Sequence, residues 1–184
     1  MPNSKEILMF RKIFNYIKSK CTPLDVQAKK AGVNMGVDNY VASVFWTSEP
    51  YLITIGSHCQ ITSGVKLLTH GGGQVLRDVY PEYDVFGKVK IGNYVYLGTN
   101  AIVMPGVTIG DHVLVAAGSV VTKSIPSGYV VAGNPAHYIC TIEEFRLKNE
   151  AFVVKTKRMS SSEKKKYIMQ MDSSRFIKKE YIKK

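Results

Sequence analysis

Written six residues to a line, positions 91–126 read IGNYVY, LGTNAI, VMPGVT, IGDHVL, VAAGSV and VTKSIP. The first column holds Ile91, Leu97, Val103, Ile109, Val115 and Val121, all aliphatic. The fifth holds Val95, Ala101, Val107, Val113, Ser119 and Ile125, all small or β-branched. An α-helix turns about 100° per residue, so six residues advance it by about 600° and scatter these side chains over its surface. A strand alternates faces and the repeat is even, so the first and fifth columns share one face. Gly92, Gly98 and Gly110 in the second column let the chain bend between very short strands. The period therefore predicts a parallel β-helix in which three hexads, about 18 residues, close one triangular coil. Such coils stack at about 4.8 Å, and stability is largely a sum of contacts between neighbouring coils.

The same phase runs earlier through IGSHCQ (55–60), ITSGVK (61–66) and LLTHGG (67–72), with weaker hexads at 37–48. Between the blocks, GQVLRDVYPEYDVFGKVK breaks the phase, and residues 73–88 read as a long loop thrown out of the coil. Long structureless loops in compact domains are usually functional. The ends differ in character. Leu8, Phe10, Ile13, Phe14 and Ile17 fall near helical spacing behind an Asn3/Glu6 capping pair, predicting a helix over 4–19 that covers the first coil. Ser160 and Glu163 form a second capping pattern, predicting a C-terminal helix from about residue 161. The expected organisation is a helical N-terminal cap over 1–30, a β-helix over 31–140 and a basic helical extension over 141–184.

Charge is uneven along the chain. The formal net charge is +11, and residues 141–184 carry 13 Lys/Arg against 6 Asp/Glu. This basic tail is open to an acidic partner such as an anionic membrane surface or a phosphorylated ligand, or is simply solvated. No nucleic-acid-binding motif accompanies it. No apolar stretch approaches the roughly 20 residues of a membrane span, and the charged N-terminus does not read as a secretory signal. Cys21, Cys59 and Cys140 lie far apart without a C-x-x-C pair, which suits a reducing compartment and a cytoplasmic location.

These hexads, followed by AAGSVVTKSIP (116–126) and VVAGNPAHYI (130–139), resemble the hexapeptide-repeat acyltransferases. SEPYLITIGSHCQITSGVKLLTHGGG (48–73) resembles the sugar O-acetyltransferase subgroup, akin to galactoside, maltose and xenobiotic acetyltransferases and to those of capsular or exopolysaccharide synthesis. The likeness covers roughly residues 31–140. It implies a left-handed parallel β-helix that assembles as a homotrimer, with active sites between subunits. It further implies acetyl-CoA lying along the coil edge as co-substrate and a histidine base near the thioester.

Moving an acetyl group from a thioester to a hydroxyl requires a base, donors for the developing oxyanion, and in-line placement of both substrates. An imidazole ordinarily titrates near pH 6.5, which suits the base. His58, His70 and His112 share the fourth hexad position, so phase does not separate them. His70 is singled out because glycines and the long loop follow it, and because the family match falls there; a polar residue closing a strand is the rival reading. Glu49 is the candidate partner for that ring, with Asp84 second. The Gly98-Thr99-Asn100 turn offers backbone donors. By resemblance Thr99, Ala117, Thr122 and Lys123 align with contacts to the CoA arm and its phosphates. Galactoside-type members carry two arginines for the CoA 3′-phosphate where this chain has His137 and Cys140; Arg146, Lys148 or the tail are the substitutes. In the loop, Arg77, Tyr83 and Asp84 suit a sugar or oligosaccharide acceptor, or else packing against a neighbouring subunit. Cys59 falls in the inward fifth column, and no covalent nucleophile is evident, so direct transfer is expected. No metal is expected, because a zinc site on such a solenoid needs three converging histidines. A non-catalytic trimeric scaffold, transfer to an amine, and transfer from acyl carrier protein are the competing readings.

Overall fold

The computed structural model describes residues 22–181, which divide after Ile142 into two compact units. The helix expected over 4–19 lies outside the described residues. The first unit opens with helix α1 (Leu24–Ala31), whose Ala28 is fully buried against the core. Gly32 ends it at φ 113°, a left-handed cap in which its N–H reaches the last-turn carbonyls of Ala28 and Lys29.

Short strands follow: β1 (Asn34–Met35), β2 (Tyr40–Val41), β3 (Val44–Phe45), β4 (Ile53–Ile55), β5 (Gln60–Ile61), β6 (Val65–Leu67) and β7 (Val89–Ile91). The series continues with β8 (Tyr96–Leu97), β9 (Ile102–Val103), β10 (Thr108–Ile109), β11 (Leu114–Val115), β12 (Val120–Val121), β13 (Tyr129–Ala132) and β14 (His137–Thr141). They form three sheets, ordered β1-β4-β7-β10, β2-β5-β8-β11-β13-β14 and β3-β6-β9-β12. All pairings are parallel except β13 with β14. Lys90 pairs with Thr108, Tyr96 with Leu114 and Ile102 with Val120, each 18 residues apart, so three hexads do make one coil. One step earlier, Thr54 pairs with Lys90, Gln60 with Tyr96 and Lys66 with Ile102, each 36 apart. The doubled interval is the loop, which leaves one coil and returns to it without disturbing the register on either side.

The first and fifth columns line the interior. Ile61, Leu67, Leu97, Val103 and Val115 are completely inaccessible, as are Val65 and Ala101. Cys59 is buried among them at 2% exposure, as its column predicts. Ser119 is the polar member of the column, and its hydroxyl accepts a hydrogen bond from Gly133 N at 3.2 Å. In the weak early hexads, Trp46 packs partly against the core, whereas Phe45 stands 55% exposed.

The fourth column turns the corners. His58, Tyr94, Asn100 and His112 sit at φ 54–60°, and Gly64, Gly106 and Gly118 at 69–83°. Non-glycine residues there carry a steric cost. At one corner the rings stack up the solenoid, Tyr94 lying 4.7 Å from His58 and 4.9 Å from His112 between centroids. The third column ties coil to coil: Asn93 Oδ1 accepts from Ser57 N at 2.9 Å, Asp111 Oδ1 from Asn93 N at 2.6 Å, and Ser127 Oγ from Asp111 N at 2.9 Å. His70 shares the fourth position but is absent from this left-handed set, because the chain leaves the coil there instead of turning.

The second unit holds α2 (Ile142–Asn149), which begins at the boundary, and α3 (Ser161–Met169). Ser160 caps α3 by accepting from Glu163 N at 3.3 Å, while Glu163 Oε2 accepts from Ser160 N at 2.8 Å. Both halves of the capping box read from the sequence are therefore present. Among the described residues no helix is long and apolar enough to cross a membrane.

Candidate active site

The corner at His70 is built from two consecutive coils. Phe45 pairs with Lys66, so Thr47 and Glu49, just beyond β3, lie against Thr69 and His70, just beyond β6. His70 Nδ1 is 2.6 Å from Glu49 Oε2, and Thr69 Oγ1 donates to the same oxygen at 3.0 Å. Thr69 is completely buried, and its hydroxyl also lies 3.2 Å from that of Thr47. Since Thr69 has one proton and gives it to the carboxylate, Thr47 is the donor of that second bond. The arrangement is a short relay from Thr47 to Thr69 to Glu49, with His70 closing it.

Burial alone would push the Glu49 carboxyl up. The hydrogen bonds from Thr69, His70 and Ser48, with the His70 charge, outweigh it and hold the group below its ordinary value. Glu49 is therefore ionised at neutral pH and only accepts, which places the Nδ1 proton between ring and carboxylate. In the neutral ring, Nε2 is then the nitrogen with a free lone pair. The His70 side chain is 34% exposed and that of Glu49 16%, so the ring is the more accessible of the two. A depressed carboxyl contributes stability that is complete above its unfolded value of 4.5 and is lost as pH falls through the lower folded value. Glu49→Gln should thus flatten the acid limb of a stability–pH curve below about pH 4.5, measured by thermal unfolding.

The loop is fastened at its base. His70 and Phe86 make an antiparallel bridge, and their rings lie 5.8 Å apart at 47°. Gly87 N donates to Thr69 O at 2.7 Å. A Cβ on Gly87 would fall 2.2 Å from Gly106 N, so only glycine allows the returning chain to seat on the next coil. Within the loop, Arg77 Nε donates to Tyr83 O at 3.4 Å and its Nη2 lies 3.9 Å from Asp84 Oδ2. The three residues expected at the acceptor are therefore together, bracing one another. Phe86 is the loop residue on the His70 ring.

The residues expected at the acyl donor fall on two corners. Gly98, Thr99 and Ala117 share one: a Cβ on Gly98 would lie 2.4 Å from Ala117 N, and Gly118 N donates to Thr99 O at 2.8 Å. Thr122 and Lys123 follow β12 at the opposite end of that face, the corner from which His70 projects. The side of the coil between the two corners, from Val65 to His70, is about five residues long, roughly 17 Å at 3.3 Å each. One chain does not bring Thr99 to His70. Lys123 also lines a cavity of about 280 Å³ with Tyr129, His137 and Tyr138. Arg146, about half exposed, meets Glu143 at 2.8 Å and Glu150 at 3.2 Å, and these hydrogen bonds and charges push its pKa further up. Among the described residues no three His, Cys, Asp or Glu side chains could hold a metal ion.

Thr69 and Thr47 were not legible as site residues. Thr69 did carry a signal, since it occupies the third hexad column, whose side chains bond to the adjacent coil.

A family model described as bacterial transferase hexapeptide (six repeats) matches residues 88–123. Protein CapG of Staphylococcus aureus is 48% identical over 145 residues, covering 77% of this chain and 84% of that protein. Galactoside O-acetyltransferase of Escherichia coli (strain K12) is 32% identical over 115 residues, covering 62% of this chain and 56% of its own length. The solved structure of a galactoside acetyltransferase in complex with coenzyme A is similar with a TM-score of 0.53 at 31% identity, over 63% of this chain and 58% of that one. The chain belongs to the bacterial hexapeptide-repeat transferase family, in its acetyltransferase branch, and its solenoid is the left-handed parallel β-helix of that family.

Proposed function

We propose that this protein transfers an acetyl group from acetyl-CoA to a sugar hydroxyl, with His70 as general base. The observation that carries the reading is the Glu49–His70 pair at 2.6 Å, fixed by buried Thr69 and opening beside the loop. Nε2 of His70 takes the proton of the acceptor hydroxyl as its oxygen attacks the thioester carbonyl carbon. The C–S bond then breaks, and the imidazolium returns the proton to the leaving sulfur. Glu49 stabilises the imidazolium and orients the ring. Within the Gly98–Asn100 turn, Gly98 N donates to Val115 O at 2.8 Å and Asn100 N to Ser63 O at 3.0 Å, so Thr99 N is the donor of that turn that would face the developing oxyanion.

A homotrimer would join the two halves of the site. The outward row of the first sheet is polar: Asn34, Thr54, Lys90 and Thr108. The second sheet presents Tyr40, Gln60, Tyr96 and Leu114, and the third Phe45, Lys66, Ile102 and Val120. Burying the second sheet of one copy against the third sheet of the next covers two rows that are apolar except for Gln60 and Lys66. In that packing, the Thr99–Ala117 corner of one copy approaches His70 of its neighbour. The corner suits a thin pantetheine arm: Ala117 is small, and a Cβ on Gly118 would meet nothing within 4 Å. Lys123 would pair a CoA phosphate. Lys123→Ala should therefore raise the KM for acetyl-CoA several-fold while kcat stays nearly constant, read in steady-state kinetics.

The acceptors are sugars, nucleotide sugars or oligosaccharides of the kind built into capsular and exocellular polysaccharides. CoA release measured across such a panel tests the reading. Release that depends on a sugar and yields its acetyl ester supports it. No release with any sugar returns the protein to the scaffold reading, and release with amines alone replaces the O-transfer.

A further inference from the structure

The C-terminal unit leaves apolar side chains uncovered amid positive charge. Among its described residues only Thr156 is buried. Leu147, Val153, Met169 and Ile177 are more than half exposed. All 13 Lys/Arg and 6 Asp/Glu of residues 141–184 fall in this unit, so it carries a net +7. The two features coincide in space. Ser161, Lys164, Lys165, Ile168 and Met169 recur at i, i+3, i+4, i+7 and i+8, share one face of α3 and line an open groove of about 350 Å³. Two ammonium groups precede two apolar tips along that face, and Met169 is 78% exposed. The pattern recurs in Phe176-Ile177-Lys178-Lys179, all exposed. The Ser160–Glu163 capping box closes the first turn of that helix.

We propose that this unit docks the protein on an anionic lipid surface. Lys164, Lys165 and Lys166 sit among the headgroup phosphates, while Ile168 and Met169 enter the boundary with the acyl chains. A lipid surface answers both halves of the pattern at once. A second copy of the unit would bring another +7 against the first and is electrostatically opposed. A nucleic acid would meet the lysines but leave the aliphatic tips in water. The inference does not rest on acetyl transfer, because partitioning is read without turnover.

The test is sedimentation of the full-length protein with vesicles of phosphatidylcholine alone and of phosphatidylcholine with about a third phosphatidylglycerol. The protein should partition onto the anionic vesicles only, and added salt should weaken it. Lys164→Gln, Lys165→Gln and Lys166→Gln together should lower the partition coefficient roughly a hundredfold, at about 1 kcal/mol per lysine. Ile168→Ser with Met169→Ser should lower it at every salt concentration. All five positions lie outside the solenoid, and an unchanged β-sheet circular dichroism spectrum confirms that it stays folded. Equal partitioning onto neutral vesicles, no partitioning onto either, or retention on duplex DNA with none on vesicles would each overturn the proposal.

Discussion

Alanine in place of His70 should lower kcat/KM roughly 10²–10⁴-fold, the usual contribution of a positioned base. The affinity for acetyl-CoA, measured by calorimetry, should stay within about twofold of the parent, because the ring acts on the acceptor proton. Removing the ring leaves Glu49 with its Thr69 bond at 3.0 Å and little exposed surface of its own. The β-helix should therefore keep its fold. Glu49→Gln makes an informative companion. It retains a ring at the corner but gives Nδ1 an amide in place of an ionised acceptor, which weakens both tautomer control and imidazolium stabilisation. Turnover should fall about 10–100-fold, less than for the alanine variant, as expected of a residue acting through another. Parent-like turnover in the His70 variant would eliminate this histidine as the base.

Truncating Leu97 should produce the largest loss of stability. Its side chain is completely inaccessible, and its backbone pairs with Ile61 in the coil before and Val115 in the coil after. Leu97→Ala removes contacts to both neighbouring layers at once, and a rigid stack cannot collapse to fill the space. The expected cost is about 2–5 kcal/mol. For a chain of this size each kcal/mol moves Tm by about 2–4 °C, so a drop of roughly 4–20 °C should appear by circular dichroism. Thr108→Ala is the contrast: it stands exposed on the polar outer row and should cost no more than about 0.5 kcal/mol. Equal shifts for the two variants would mean that the first column does not carry the core.

Recognition of the fold rested on columns rather than on any single residue. Ile91, Leu97 and Val103 could be assigned inward because a six-residue period has one strand solution and no helical one, and their burial follows. The fourth column was harder to read. Asn100, His112 and Tyr94 occupy left-handed turns that glycine fills elsewhere, and nothing local distinguishes them from the phase-equivalent His70, where the chain departs instead. Glu49 was paired with His70 by family likeness and not by spacing. Twenty-one residues separate them, and that interval means contact only once the coils are stacked in register. Thr69 was overlooked because threonine at a strand end has many uses; its burial beneath the carboxylate became visible only with Glu49 in place.

What the hexad period determined by itself was the coil, its three hexads, the inward columns and the position of the excursion, since each follows from strand alternation repeated locally. Stacking decided the rest. It set a carboxylate from one turn under an imidazole from the next and left Thr99 and Lys123 at opposite ends of one face. Those outcomes depend on which residues meet across the register and on which side chains find partners first, and no local pattern of residue types carries that information.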